Sequence, residues 1–378
     1  MEHIAPFWEN LKDEEYGGFY GYMDFDRKVD RTYEKGCILN SRILWFFANA
    51  YLSFRKPEFL AMADHAYDFM MRYCRDREKG GVYWSVTYDG KVSDSTKHTY
   101  NQAFAVYALS SYYDASGNRE SLEFARELFH LIESKCTDEI GYLESFDRNW
   151  EPEANDKLSE NGLMADKTMN TLLHVLEAYT ELYRVDPQED TERALRKILK
   201  SFREDVYNSR THRLEVFFDK NLHTLSDLYS YGHDIEASWL LDRAAVILGD
   251  PKVKEDTFTY TAELAGEVYA NAIENGAMNN ECFHGQVDTT RVWWVQAEAM
   301  VGFYNCWQKT KDPRYRKITE DLWSYIKTFI IDKREGSEWF WDLDISGRPV
   351  SRKPIVEPWK CPYHNGRMCM ELIARLET

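Results

Sequence analysis

The sequence predicts an all-α fold, an (α/α)6 barrel of about twelve helices with short β-hairpin loops at one end, on three observations. A 3.6-residue apolar period returns along the whole chain. Aromatic, turn-rich segments recur at a diverged spacing of roughly 60 residues: GGFYGYMDFD at 17, GGVYWSVTYDGK at 80, GYLESFDRNW at 141, RLEVFFDKN at 213, ECFHGQVD at 281 and EWFWDLDISGRP at 338. Between these long segments lie short links such as SFRKPEF at 53, DASGNRE at 114 and VDPQED at 185, and short links make antiparallel neighbours.

In chain order, the first unit sets helices at 1–11 and 38–54 on either side of its hairpin, and the second repeats the arrangement at 58–75 and 100–115. The third pairs 119–135 with 167–185, and the fourth pairs 190–207 with 231–249. The fifth and sixth pair 256–276 with 289–309 and 313–331 with 361–377. Each unit buries its apolar stripe on the next, so six close into a ring of inner and outer helices, and one domain spans 1–378. Every long segment delivers the chain into the start of an even-numbered helix, at 38, 100, 167, 231, 289 and 361. Those six starts should surround one mouth.

Near them stand Asn40 and Arg42, Tyr100 and Asn101, Asn170 and His174, His233 and Glu236, Arg291 with Trp293 and Trp294, and His364. A helix start carries partial positive charge, which disfavours an added proton on a nearby imidazole and leaves it able to act as a base. Each of these residues could instead be core or cap. Trp293 and Trp294 are adjacent and cannot both face a barrel axis, so one of them should be structural. Arg42 on an apolar helix should either pair with a carboxylate such as Glu298 or meet substrate.

Composition narrows the ligand. With 64 acidic against 47 basic residues the net charge is −17, which repels nucleic-acid phosphates. Aromatics make up 15% of the chain, a surplus suited to lining a sugar site. No leader and no apolar run of the ~20 residues that cross a bilayer is seen, so the expectation is a cytoplasmic protein without membrane contact. The seven cysteines are scattered without metal-type spacing and should be reduced and mostly buried. HVLE at 174 and HDIE at 233 place His and Glu on one helical face, but helical carboxylate metal sites run Glu-x-x-His with two further glutamates, so no metal is expected. No spacing singles out a glycosidase carboxylate pair.

The segments KGCILNSRILWFF, MNTLLHVLEAY, YGHDIEASWLL, VWWVQAEA and WKCPYHNGRM together give the chain a resemblance to the cellobiose 2-epimerases, within the wider N-acylglucosamine 2-epimerase superfamily. The resemblance implies interconversion of the C2 epimers of a reducing-end glucose or mannose, with no metal or nucleotide cofactor. It implicates Arg42, Tyr100, Asn170, His174, His233, Glu236, Trp293 or Trp294, Trp359 and His364. In that reading His233 and His364 are bases on opposite faces of an enediolate, and Glu236 accepts a hydrogen bond from His233 or grips a hydroxyl. Arg42 stabilises the developing charge, His174, Tyr100 and Asn170 position hydroxyls, and Trp359 with one of the tryptophan pair stacks on sugar. The expected partner is a small disaccharide and the expected assembly a monomer or weak homodimer. A mannose–fructose isomerase, an N-acylglucosamine epimerase or a non-catalytic carbohydrate-binding protein are the alternatives.

Overall fold

A computed structural model describes every residue except 156, 158–162, 351 and 378. Twelve α-helices follow in order: α1 (Ile4–Glu9), α2 (Cys37–Phe54), α3 (Pro57–Phe69), α4 (Thr99–Ser116), α5 (Arg119–Lys135), α6 (Met169–Val185), α7 (Glu189–Ser201), α8 (Tyr231–Leu248), α9 (Pro251–Ala272), α10 (Trp293–Thr310), α11 (Pro313–Tyr325) and α12 (His364–Glu377). Their packing closes a ring, with α2 on α4, α4 on α6, α6 on α8, α8 on α10, α10 on α12 and α12 back on α2. The odd-numbered helices α3, α5, α7, α9 and α11 pack outside, each on the inner helix of its own hand-over. The chemistry of the two rings differs accordingly. α4 buries every residue from Thr99 to Tyr112, whereas α5 buries a stripe at Ser121, Leu122, Phe124, Ala125, Leu128, Phe129 and Ile132.

The short links turn on left-handed caps. Gly117, Gly249 and Lys311 end α4, α8 and α10 at φ 73°, 72° and 59°; Asn118 caps α5, while Asp250 and Asp312 cap α9 and α11, which both begin on a proline. Asp250 accepts from Lys252 and Val253 backbone N–H, which starts α9 at Pro251 and not at the expected 256. Outer helices α3, α7 and α11 run into single π-turns at Met70–Cys74, Phe202–Val206 and Ile326–Ile330, and these account for the longer helices the periodicity predicts there.

Inner helices α6, α10 and α12 start two to four residues later than expected, for α6 and α10 because the residues before them are strands. Lys35–Gly36 pairs with Ser85–Val86, Lys97–His98 with Ser145–Phe146, Lys167–Thr168 with Phe217–Phe218, Tyr229–Ser230 with Glu281–Cys282, and Arg291–Val292 with Asp342–Leu343, all antiparallel. A bridge from Met23 to Val356 carries the rim across the ends of the chain. A buried cation two residues before the helix secures most of these junctions. Lys35 meets Asp13 at 2.6 Å, Lys97 meets Asp76 at 3.0 Å and Lys167 meets Asp138 at 2.6 Å, while Arg291 bonds Asn279. The fourth helical residue then holds a hairpin N–H: Asn40 takes that of Phe19, Gln102 that of Val82, Asp234 that of Leu214 and Gln296 that of Met278. Asn40 and Arg291 thus build the rim, as does Asn101, whose side chain donates to the Tyr83 carbonyl at 2.8 Å.

The seven cysteines carry no disulfide, and all but Cys369 are buried. Among the described residues, no helix is long and apolar enough to cross a membrane.

Candidate active site

The inner-helix starts enclose a cavity of about 330 Å³ whose wall includes the ten side chains implicated from the sequence, joined by Lys157 and Trp341. Its three histidines are each gripped at Nδ1 by a different partner. His174 bonds Glu177 Oε2 at 2.9 Å, His233 bonds Ser230 Oγ at 2.7 Å, and His364 bonds Glu298 Oε1 at 2.8 Å. Among the described residues Nε2 of each ring has no partner, so that is the nitrogen left for a ligand.

Burial disfavours the imidazolium in all three. It pushes His233 down to about 3, with the neighbouring His174 adding to the effect. His364 is lowered well below the ordinary range by burial and then by the Arg367 and Arg42 guanidinium groups. Burial also lowers His174, although Glu177 works against it. Three neutral imidazoles therefore face the cavity at pH 7.

The expected hydrogen bond between Glu236 and His233 is absent. Three-residue spacing puts both on one face of α8, but Ser230 takes the histidine and Arg367 of α12 takes Glu236 Oε1. The other oxygen of Glu236 is buried with no partner, and burial with Glu298 alongside raises this carboxyl well above its usual value. That unpartnered oxygen is left to meet a sugar hydroxyl.

The alternative pairing of Arg42 with Glu298 is also absent. Glu298 is occupied by His364, by Arg367 at 2.6 Å and by the Trp239 indole N–H at 3.0 Å. Arg42 donates to the Tyr100 hydroxyl at 2.7 Å and lies 4.2 Å over Phe104 and 5.0 Å from Tyr363. It is a buried guanidinium whose Nη1 also reaches Cys361 Sγ at 3.9 Å, with an unpartnered Nε and, among the described residues, no carboxylate paired with it. Asn170 adds an unpartnered side-chain oxygen to the same wall.

Both tryptophans of the VWW run border the cavity, contrary to the expectation that one would be structural alone. They occupy the first two positions of α10, where no preceding turn covers them. Trp293 is buried edge-on to His364 with Lys360 above its ring at 4.6 Å, while Trp294 lies 4.8 Å from His233 and 5.3 Å from His364. Gly232 makes room for this ring, since a Cβ there would come within 2.5 Å of it. Trp359 is half-buried, 5.9 Å from both Tyr100 and Trp84, with the Arg42 guanidinium 5.9 Å over its ring.

Lys157, Trp341 and the carboxylate partner Arg367 escape a reading based on helix starts. Lys157 and Trp341 belong to long inter-helix segments, where no periodicity fixes direction, and Lys157 reaches Asp94 at 2.8 Å on the neighbouring hairpin. Arg367 lies one turn beyond His364, and that spacing is the signal that could have found it.

The sequence profile of the N-acylglucosamine 2-epimerase (GlcNAc 2-epimerase) family matches residues 17–365. A cellobiose 2-epimerase of Ruminococcus albus is 50% identical over 374 residues, covering 99% of this chain and 96% of the relative. A crystal structure of a sugar epimerase from a ruminal bacterium is similar with a TM-score of 0.98 at 50% identity, over 99% of this chain and 96% of that one. The structure of a cellobiose 2-epimerase from Bacillus thermoamylovorans B4167 gives 0.96 at 45% identity, again over 99% and 96%.

Proposed function

The chain belongs to the N-acylglucosamine 2-epimerase family, and on that premise we propose that it interconverts the C2 epimers of the reducing-end residue of β-1,4-linked disaccharides, turning cellobiose into glucosyl-mannose. The observation that carries this reading is the pair His233 and His364, both packed against the Trp294 ring at 4.8 and 5.3 Å, with Nδ1 of both engaged and Nε2 of both left to one cavity. After ring opening, one imidazole takes the C2 proton. The other, neutral at the outset, takes a proton from solvent as negative charge develops on the enediolate and returns it to the opposite face of the plane, after which the first imidazolium releases its proton to solvent. Arg42 meets the negative charge that develops on the enediolate oxygens, in a site where burial strengthens the attraction. Glu298 orients His364 and supports the imidazolium that forms there. His174, Tyr100, Asn170 and Glu236 hold hydroxyls, and the tryptophans cover the apolar faces of the sugar. The protein works without cofactor in the cytoplasm, as a monomer or weak homodimer, a setting that suits its unpaired cysteines.

Incubation with cellobiose in D2O tests the reaction. The expected product keeps the disaccharide intact and carries deuterium at C2, because an imidazolium open to the mouth exchanges its proton with solvent. A ketose product would reassign the protein as an isomerase, and tight binding without turnover would reduce it to a carbohydrate-binding protein.

Trp359→Ala should raise KM for the disaccharide more than for free glucose or mannose, since the half-buried ring packs beside Trp84 and Tyr100 and not against the three cavity histidines. Equal effects on disaccharide and monosaccharide would place this ring under the reacting sugar instead.

Glu236, Glu298 and His364 bring three ligand atoms within 4.8 Å of one another, but the Arg367 guanidinium already bonds both carboxylates there. Exhaustive chelation should therefore leave turnover unchanged. Loss of activity restored by a divalent ion would show that the guanidinium yields its place to a metal.

A further inference from the structure

Arg367 is 1% exposed, and its fork reaches three inner helices across the barrel. Nη1 bonds Glu177 of α6 and the Tyr363 hydroxyl; Nη2 bonds Glu236 of α8 and, at 2.6 Å, Glu298 of α10. The rings of Tyr363 and Trp239 sandwich it at 4.3 and 4.9 Å. Two of those carboxylates are the ones that grip His174 and His364. We propose that Arg367 is a positioning residue for the epimerisation, a single guanidinium that holds Glu177 against His174 and Glu298 against His364 and so sets both imidazoles from behind the cavity. The proposal rests on the functional reading above.

The geometry needs a guanidinium. The two terminal nitrogens of one rigid plane serve carboxylates on three helices at once, whereas an ammonium is a compact point charge. The other charged or titratable groups near this cluster are Arg42 of α2, Tyr107 of α4, His174 of α6 and His364 on its own helix. From behind come Arg243 and Glu371, which line a cavity of about 390 Å³ at the far end of the barrel that Arg367 also borders; its Nε there has no partner.

That rear cavity makes a chemical-rescue experiment feasible. Arg367→Lys, which keeps the charge and loses the fork, should fold and lower kcat on cellobiose about 10- to 100-fold, the usual effect of removing an outer-shell partner, with KM changed less than about threefold. In Arg367→Ala the acid limb of kcat/KM should move to higher pH, because the positive charge that suppresses protonation of His364 and His174 is gone. Added guanidinium should restore both rate and limb, and methylammonium should not. Parental kcat and pH profile in folded Arg367→Lys would overturn the proposal, as would folded Arg367→Ala that guanidinium does not rescue. Failure of both variants to fold would assign Arg367 to the architecture alone and overturn it too. NMR titration of the histidines in ligand-free protein reads the same displacement without turnover, so a parent inactive on cellobiose sinks the functional reading and leaves this one to its own result.

Discussion

Asparagine in place of His364 is expected to stop epimerisation, with kcat reduced ~100- to 10,000-fold, the range over which a positioned general acid–base acts. Asparagine keeps a hydrogen-bonding group near Glu298 and removes the base. His233→Asn should do the same, with Ser230 losing its bond to the imidazole. The two variants should differ in what they retain. Each leaves one imidazole facing one side of C2, so in D2O each should still exchange the C2 proton of one epimer, and the epimers should be opposite. Product analysis by NMR decides it: near-parental epimerisation in both variants would end the two-base account and move the chemistry toward His174.

The same burial gives the parent a pH dependence with a definite sign. Imidazoles neutral far below their ordinary value of about 6.5 keep the base form in weakly acidic solution, so the acid limb of kcat/KM should lie below that value. Stability runs the other way. Between the folded values and about 6.5 the unfolded chain binds more protons, so acidification through that window favours unfolding. Buried carboxyls raised by desolvation, among them Glu236, Glu298, Glu144 and Asp234, bind protons in the fold over the same window and oppose this. The histidine contribution is therefore read directly by NMR titration, in which imidazoles that protonate near their ordinary value would contradict the burial of these rings.

Arg42→Met is the second large effect, and it should separate activity from stability. A buried guanidinium that has aromatic rings and a phenol around it, and no carboxylate, costs the fold desolvation that its contacts return only in part. Its return comes when the enediolate oxygens acquire charge. Methionine should therefore lower kcat/KM by ~100- to 1,000-fold, as loss of an oxyanion donor does, while leaving the melting temperature unchanged or higher. Arg42→Lys should restore little, because an ammonium cannot hold Tyr100 and a ligand in one plane. A variant that melts early yet turns over normally would show that Arg42 serves packing.

Much of this site was legible because six diverged copies of one unit force six helix starts to a common rim, and a residue's distance from its own helix start then fixes its depth in the mouth. Arg42, Tyr100, His174 and His233 follow from that rule. Partner choice does not. HVLE and HDIE have the same spacing, yet His174 bonds Glu177 while His233 turns to Ser230 and leaves Glu236 to Arg367. Spacing along a helix names a face, and the guanidinium arriving from α12 decides which side chains on that face meet. Helix ends were misplaced for a related reason: the residues before α6 and α10 have helix-compatible chemistry and are drawn into strands by hairpins of the following units.

The buried cation before each of several inner helices separates heritable architecture from adaptable chemistry. Lys35, Lys97 and Lys167 are fully or almost fully withdrawn from water and bound to hairpin carboxylates, so each hairpin is fastened at its base by a contact that uses none of the catalytic side chains. Segments beyond the fastening, among them those carrying Lys157 and Trp341, are free to lengthen or exchange residues without unmaking the ring. A repeated module of this kind can change at its tips while its foundations stand still.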